Sequence, residues 1–285
     1  MFMPKKLLEE RLKALLAEDI GQGDGTASTI IPSDLAVKAG VVAKENGVAA
    51  GIEEALTLAQ AVGLKAKAHV AEGEEIKNKQ VLITICGDAQ TILAVERTLL
   101  NLLSRMSGIA TQTSALSAKL KNAGLKTKIA ATRKSAPGLL YFDKKAVVIG
   151  GGDPHRLHLD DMILIKDNHL AIVGGVETAV KKAKSGASFT KKIEVEVTND
   201  ADALKAASAG ADIVMLDNFS PTKAKATVVK LRKAGFSKVL LEVSGGVTSE
   251  NLLEYAKTEV DIISIGALTH SVKALDISLE IAIPK

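Results

Sequence analysis

Apolar residues in the second half of the chain gather in short, nearly unbroken runs. Six are rich in Val and Ile: KTKIAATRK (126–134), MILIKDNH (162–169), KKIEVEVTND (191–200), ADIVMLDN (211–218), KVLLEVSGG (238–246) and VDIISIGA (260–267). Runs of this kind predict strands buried on both faces. Between most of them lie helix-like stretches: ADALKAASAG (201–210), PTKAKATVVKLRKAG (221–235) and TSENLLEYAKTE (248–259). Thr248, with Asn251 just inside, begins the last, and Gly210 and Gly235 close the other two as C-terminal caps. Strand and helix in alternation predict a parallel sheet, either a closed or nearly closed α/β barrel or a doubly wound open sheet. A seventh strand is available in AVVIGGG (146–152), although PGLLYFDKKAVVIG (137–150) reads equally well as a helix.

The polar residues favour the barrel. Nearly every run ends in a residue that a site can use: Arg133 and Lys134, Lys166, Glu196, Asp217, Ser244 with Gly245 and Gly246, and Gly266. In α/β barrels the catalytic groups gather at the carboxyl ends of the strands.

The first hundred residues follow another pattern. MFMPKKLLEERLKALLAED (1–19) reads as an amphipathic helix without a signal peptide's cleavage pattern, and EDIGQGDGTAST (18–29) as a Gly-rich loop after it. Residues 34–52 and 64–88 alternate short strands with Gly and Asn turns, which predicts a small α+β domain with an antiparallel sheet. Residues 71–85 could pass for a lipoyl or biotinyl sandwich, but no lysine stands between methionines there. Residues 89–124 read as one or two long amphipathic helices leading into the barrel.

Composition narrows the classes. At 285 residues, 47% hydrophobic and 25% charged, the chain is globular, with no apolar run near the ~18 residues of a spanning helix, so a soluble cytoplasmic protein is expected. The single cysteine, Cys86, excludes an intramolecular disulfide framework and reads as a small core residue. A formal charge of +4 admits nucleic acid or an anionic small molecule as partner, yet two Tyr, five Phe and no Trp leave few stacking platforms for the former. Of the 37 basic residues only six are Arg, and two of these stand in TRKSAPG (132–138) and GGGDPHR (150–156). A guanidinium grips a carboxylate or phosphate with two parallel hydrogen bonds, so Arg133 and Arg156 point to a flat, multiply anionic ligand.

Nine segments in order, EDIGQGDGT, ERTLLNLLSRMSGIAT, TRKSAPG, GGGDPHR, LIKDNH, IEVEV, MLDNF, EVSGGV and IGALTHS, resemble the quinolinate phosphoribosyltransferase family over almost the whole chain. The resemblance implies an incomplete, TIM-like α/β barrel of about seven strands at residues 109–270. Before it comes an N-terminal α+β open-faced sandwich at 1–108, against which a C-terminal helix at 271–285 packs back. It also implies the reaction: quinolinate and 5-phosphoribosyl 1-pyrophosphate give nicotinate mononucleotide, CO2 and pyrophosphate with Mg²⁺, in de novo NAD biosynthesis. A homodimer, or a higher oligomer built from dimers, is expected, with no nucleic-acid or membrane partner. Quinolinate carries two adjacent carboxylates and needs several cations. Arg133, Arg156 and, from the partner subunit, Arg97 fit that need; His155 and Lys134 complete the pocket, and Lys166 bridges quinolinate and the phosphoribosyl group. Lys134, Lys166, Glu196 and Asp217 are the expected catalytic residues. Glu196 and Asp217 are the expected Mg²⁺ ligands, the alternative being carboxylates paired with a barrel lysine. Ser244, Gly245, Gly246 and the turn at Gly266 offer backbone N–H groups to phosphate.

The chain departs from the family's usual pattern at His158, where Gly is usual, at Asp153-Pro154, commonly Val-Asn, and at Ser135, often Thr. His158 either narrows the pocket or faces a loop. Two other readings stand beside the enzyme: a related molybdenum-transport-associated protein with the same fold, against which the intact LIKDNH argues, and a non-catalytic anion-binding barrel.

Overall fold

The computed structural model describes residues 3–282. Helices α1 (Lys5–Ile20) and α2 (Gly25–Ile30) precede β1 (Ala36–Ala43), β2 (Gly47–Val48), α3 (Ile52–Ala61), β3 (Lys65–Ala68), β4 (Glu75–Ile76) and β5 (Val81–Asp88). One 34-residue helix, α4 (Ala89–Asn122), follows. Next come β6 (Lys128–Ala130), α5 (Leu140–Ile149), β7 (Ile163–Ile165), α6 (Asp167–Val173), α7 (Val176–Gly186), β8 (Ile193–Val197) and α8 (Asp200–Ala209). The chain continues through β9 (Ile213–Asp217), α9 (Pro221–Lys233), β10 (Leu240–Ser244), α10 (Leu252–Ala256), β11 (Ile262–Ser264), α11 (Ala267–His270) and β12 (Ile277–Ala282). No described helix is long and apolar enough to cross a membrane. Ala115–Leu140 with Gly152–Ser271 make one compact unit, and the rest of the described chain makes the other.

The first unit is built on a four-stranded antiparallel sheet in the order β12-β1-β5-β3, beside a two-stranded β2-β4 ribbon. Val37, Ala39 and Val41 alternate inward along β1, while Leu8, Leu12 and Leu16 line one face of α1 at helical spacing. Four expectations are corrected here. After Ser271 the chain forms a strand, β12 (Ile277–Ala282), paired with β1 from Lys38↔Ala282 to Ala43↔Ile277, and not a helix; the last three residues of the expected helix lie outside the described residues. The Gly-rich loop is only a turn, because Asp24 accepts hydrogen bonds from the N–H groups of Thr26 and Ala27 at 2.9 Å and starts α2. The expected first helix begins at Lys5, its first two positions lying outside the described residues. Cys86, in β5, is half-buried rather than a core residue.

AVVIGGG is the end of α5 and not a seventh barrel strand. Phe142 and Ala146 stand one helical turn apart, and with Val147 they are fully buried. Two of the charges between them, Asp143 and Lys145, are paired in the same unit: Arg105 of α4 donates to both oxygens of Asp143, at 2.7 and 2.8 Å, and Lys145 meets Glu53 and Glu54 of α3.

The second unit is a six-stranded parallel sheet in the order β6-β11-β10-β9-β8-β7. About seven strands were expected; the seventh place is taken by one residue, Asp153, bridged in parallel to Ala130. Asp153 donates its N–H to the carbonyl of Ile129 (2.8 Å) and accepts the N–H of Ala131 (3.0 Å). Strand starts are tied by a repeated device. Asp212, before β9, accepts the N–H of Ile193 at the head of β8, and Asp261, before β11, accepts that of Leu241 in β10, both at 2.8 Å. Helix ends follow the side chains: Asn199 caps α8, Ser220 caps α9 with Pro221 as its first residue, and Gly210 and Gly235 take left-handed conformations after them. The last expected helix starts late, at Leu252, because Asn251 accepts the Thr248 N–H and donates to the Gly246 carbonyl, holding residues 246–251 as a turn.

Register sorts every strand residue to one face. Glu196, Met215 and Glu242 lie level on neighbouring strands, as do Asp217, Ser244 and Ser264 one step further on. Val195, Val214, Leu216, Leu241, Val243 and Ile263 alternate with them and form the buried opposite face.

Candidate active site

At the carboxyl ends of these strands a cavity of about 520 Å³ opens. Lining it are Arg133 and Lys134 after β6, His155 and Arg156 after Asp153, Lys166 after β7, Glu196 of β8, Asp217 of β9, and Ser244, Gly245 and Gly246 at the end of β10. The structure thus brings together every expected site residue except two. Gly266 does not line the cavity, although the position of a Cβ built there is 3.5 Å from the Lys134 side chain, and Thr269 donates to the Lys134 carbonyl at 2.7 Å. Arg97 lies on α4 in the other unit, 65% exposed, and its one ion pair among the described residues is a 4.0 Å contact with its neighbour Glu96.

Arg156 is the most telling group. Its side chain is buried, with 8% of the residue exposed, yet no carboxylate among the described residues lies within ion-pair distance. Burial pushes its pKa down and the positive charge of Arg133 adds to this, with only partial relief from Glu194 and Asp161. Arg133 and Lys134 are exposed to the cavity and make no ion pair among the described residues. A pocket that gathers cations without neutralising them is complementary to an anion.

The opposite wall is acidic. Lys166 donates to Glu196 Oε2 at 2.7 Å, so one of the two expected metal carboxylates is also paired with a barrel lysine. Asp217, on the neighbouring strand, accepts a hydrogen bond from the Asn218 amide at 2.7 Å, and burial followed by the charge of Glu196 pushes its pKa up. The LIKDNH segment serves the same wall: the Lys166 N–H donates to Nδ1 of His169, 2.9 Å away, which starts α6 with Lys166 facing the cavity. Gly245 has φ +91°, and a Cβ there would run into the Asn218 amide. Only glycine lets the β10 turn and Asn218 approach this closely.

His158 is exposed, donates its N–H to Asp161 at 2.9 Å and does not line the cavity, so it faces a loop. Asp153 accepts the His155 N–H at 2.7 Å and so orients the residue that precedes Arg156. Sequence reasoning missed two fully buried carboxylates, Glu242, which lines the cavity, and Glu194, which does not; His155 Nε2 lies 3.0 Å from Oε2 of Glu194 and 3.5 Å from Oε2 of Glu242. Their signal was parity: Glu194 alternates with Glu196 in IEVEV, and Glu242 with Ser244 in LLEVS, so each shares the inward face of a residue already singled out.

Residues 109–280 match the family described as the C-terminal domain of quinolinate phosphoribosyl transferase, and residues 24–107 match the N-terminal domain of the same family. The chain belongs to the quinolinate phosphoribosyltransferase family. Within that family it is 47% identical over 274 residues to a probable nicotinate-nucleotide pyrophosphorylase [carboxylating] of Methanocaldococcus jannaschii, covering 95% of both chains. It is 38% identical to the nicotinate-nucleotide pyrophosphorylase [carboxylating] of Homo sapiens, over 86% of this chain and 82% of that one. The structure of the nicotinate-nucleotide pyrophosphorylase from Francisella tularensis superposes with a TM-score of 0.89 at 36% identity, covering 99% of this chain and 98% of the other.

Proposed function

We propose that the chain transfers the phosphoribosyl group of 5-phosphoribosyl 1-pyrophosphate to quinolinate with loss of CO2, giving nicotinate mononucleotide and pyrophosphate for NAD biosynthesis. The observation that carries this reading is Arg156: a buried guanidinium, unpaired by any described carboxylate, beside Arg133 in a cavity of the size of a small ligand. Quinolinate's two adjacent carboxylates supply the missing negative charge. Arg133, His155 and Arg156 bind them, Lys134 completes the pocket, and the Gly245-Gly246 turn with Ser244 takes the phosphates.

Chemistry follows from placement. The ring nitrogen of quinolinate attacks C1 of the ribose as the bond to pyrophosphate breaks, so positive charge develops on the sugar while negative charge builds on the leaving group. Positioning and electrostatics suffice, and no side chain needs to form a covalent bond. The cationic wall holds the 2-carboxylate until the ring nitrogen is quaternised. The C–C bond to that carboxylate then breaks, CO2 leaves, the electron pair is stabilised beside the positive nitrogen, and a proton takes the vacated carbon.

The donor set suits Mg²⁺, which favours one or two carboxylates and completes its shell with water and substrate oxygens. Glu196 and Asp217 come from neighbouring strands, and burial together with the charge of Glu196 pushes the Asp217 pKa up, against the opposing pull of Lys166 and Lys134. These two residues would hold the ion, which when bound neutralises pyrophosphate charge. Lys166, paired with Glu196 in the cavity wall, would bridge the two substrates. Exposed Arg97, outside the barrel unit, fits a homodimer in which each subunit lends this residue to its partner's pocket.

The test is release of ¹⁴CO2 from carboxyl-labelled quinolinate. Release that requires both 5-phosphoribosyl 1-pyrophosphate and Mg²⁺ is expected. Binding of quinolinate without turnover under any metal condition would replace the enzyme with an anion-binding barrel.

A further inference from the structure

The barrel interior holds a polar cluster that the reaction above leaves without a task. Glu194 of β8 and Glu242 of β10 are fully buried on the inward face, one level apart, and converge on His155 Nε2. Glu194 Oε1 and both oxygens of Glu242 have no hydrogen-bond partner among the described residues. Apolar side chains at both positions would serve stability better, since buried carboxylates with unsatisfied oxygens are costly.

His155 is delivered to this cluster by force of backbone. Its φ is +52°, a left-handed conformation that a residue with a Cβ seldom adopts, and it is held there by Asp153, which is bonded to Ile129 and Ala131 on either side of Ala130 and accepts the His155 N–H. His155 lines the active-site cavity and also a second cavity of about 720 Å³ at the opposite ends of the same strands. It therefore stands between the two. Nε2 is committed to the carboxylates, and Nδ1 has no partner among the described residues.

We propose that Glu194 and Glu242 are positioning residues that act through His155, fixing the plane of its ring and keeping a proton on both nitrogens so that Nδ1–H donates to a substrate carboxylate. The inference rests on the quinolinate reading of the cavity and adds to it how one donor is kept charged. A neutral imidazole has one N–H; donating to Glu194 from Nε2 would leave Nδ1 an acceptor, facing an anion. Two carboxylates remove that conflict. The charged groups around the ring oppose each other: Arg156 on its own loop, Arg133 and Lys134 after β6 and Lys166 after β7 line the cavity and disfavour a further cation, while Glu194 from β8 and Glu242 from β10 favour it. Burial pushes the ring's pKa down, but the hydrogen bond to Glu194 and the charges of both glutamates outweigh it and push it up to about 10.

Glu242→Gln and Glu194→Gln keep side-chain size and remove one charge each. Ring ¹⁵N–¹H correlation spectra of the ligand-free full-length protein, assigned by comparison with His155→Gln, read the proton count directly, and the quinolinate KM is followed against pH. In the parent protein both ring nitrogens are expected to be protonated from about pH 6 to about pH 9. In the variants the ring should lose a proton within that range, and the quinolinate KM should then rise about tenfold while that for 5-phosphoribosyl 1-pyrophosphate stays within about twofold. A structural role alone would move neither the ring spectrum nor the pH at which KM rises. A singly protonated ring at neutral pH in the parent, unchanged ring titration in both variants, or a metal ion co-purifying at one per chain on these three side chains would each overturn the proposal. Should the variants fail to fold, the parent spectrum still decides. A doubly protonated ring in a protein that does not turn over quinolinate would instead refute the function proposed above.

Discussion

Replacing Arg156 by methionine should weaken quinolinate binding while leaving the ligand-free fold as stable as before, or more so. The guanidinium is nearly all buried, and its pKa is pushed down by burial and by Arg133, so in the empty protein it is a cation held against its surroundings. Methionine fills similar volume without a charge, and removal of a poorly compensated buried ion is neutral or stabilising by about 1 kcal/mol. With quinolinate bound the balance reverses, because a charge-assisted, bidentate contact is worth about 2 kcal/mol, which is about thirtyfold in Kd. At a concentration of about 100 times the parent Kd, quinolinate should stabilise the parent by about 2.7 kcal/mol and the variant by about 0.9 kcal/mol. Titration calorimetry gives the affinities, and urea unfolding with and without quinolinate gives the stabilities. Unchanged affinity, or a ligand-free variant less stable by more than about 2 kcal/mol, would show that Arg156 is a structural cation with a protein partner, and the anion-site argument would fall.

Glu196→Gln and Asp217→Asn should each raise the Mg²⁺ concentration for half-maximal rate and lower kcat; an unchanged Mg²⁺ dependence in both would return the pair to structure. Arg97→Ala and Arg156→Ala proteins should each be nearly inactive, and after random subunit exchange the mixture should regain about a quarter of parent activity, since about half the dimers hold one intact site. No recovery, with exchange verified by mass spectrometry, would place Arg97 outside any shared site. Gly245→Ala forces a side chain onto φ +91° and into the Asn218 amide, so a stability loss of about 1–2 kcal/mol and a raised KM for 5-phosphoribosyl 1-pyrophosphate are expected, read by urea unfolding and initial rates. His155 has its pKa raised to about 10 in the fold, so its contribution to stability is complete below the unfolded value near 6.5 and is lost as pH rises through about 10. His155→Gln should flatten the fall in unfolding free energy over that window, and an equally steep fall in the variant would assign it to other groups.

The parallel strands, the helices between them and most of the cavity wall were legible in the sequence because their causes are local. A Val- and Ile-rich run needs no distant partner to declare itself buried, and residues placed at the ends of such runs must emerge on one side when the strands are parallel. That is why Arg133, Lys166, Glu196, Asp217 and Gly245 could be named before any contact was known. Where apolar spacing was ambiguous, tertiary partners decided. AVVIGGG became the end of a helix because Arg105 and Glu54 are there to pair Asp143 and Lys145 of α5, and Ile277–Ala282 became a strand because β1 offered an open edge 230 or more residues earlier in the chain. The empty ion-pair shell of Arg156, the meeting of Glu194, Glu242 and His155, and the single-residue seventh strand at Asp153 were likewise decided in three dimensions. Charge state and orientation depend on what stands within a few ångströms in space, and neighbours in a barrel come from every strand around it.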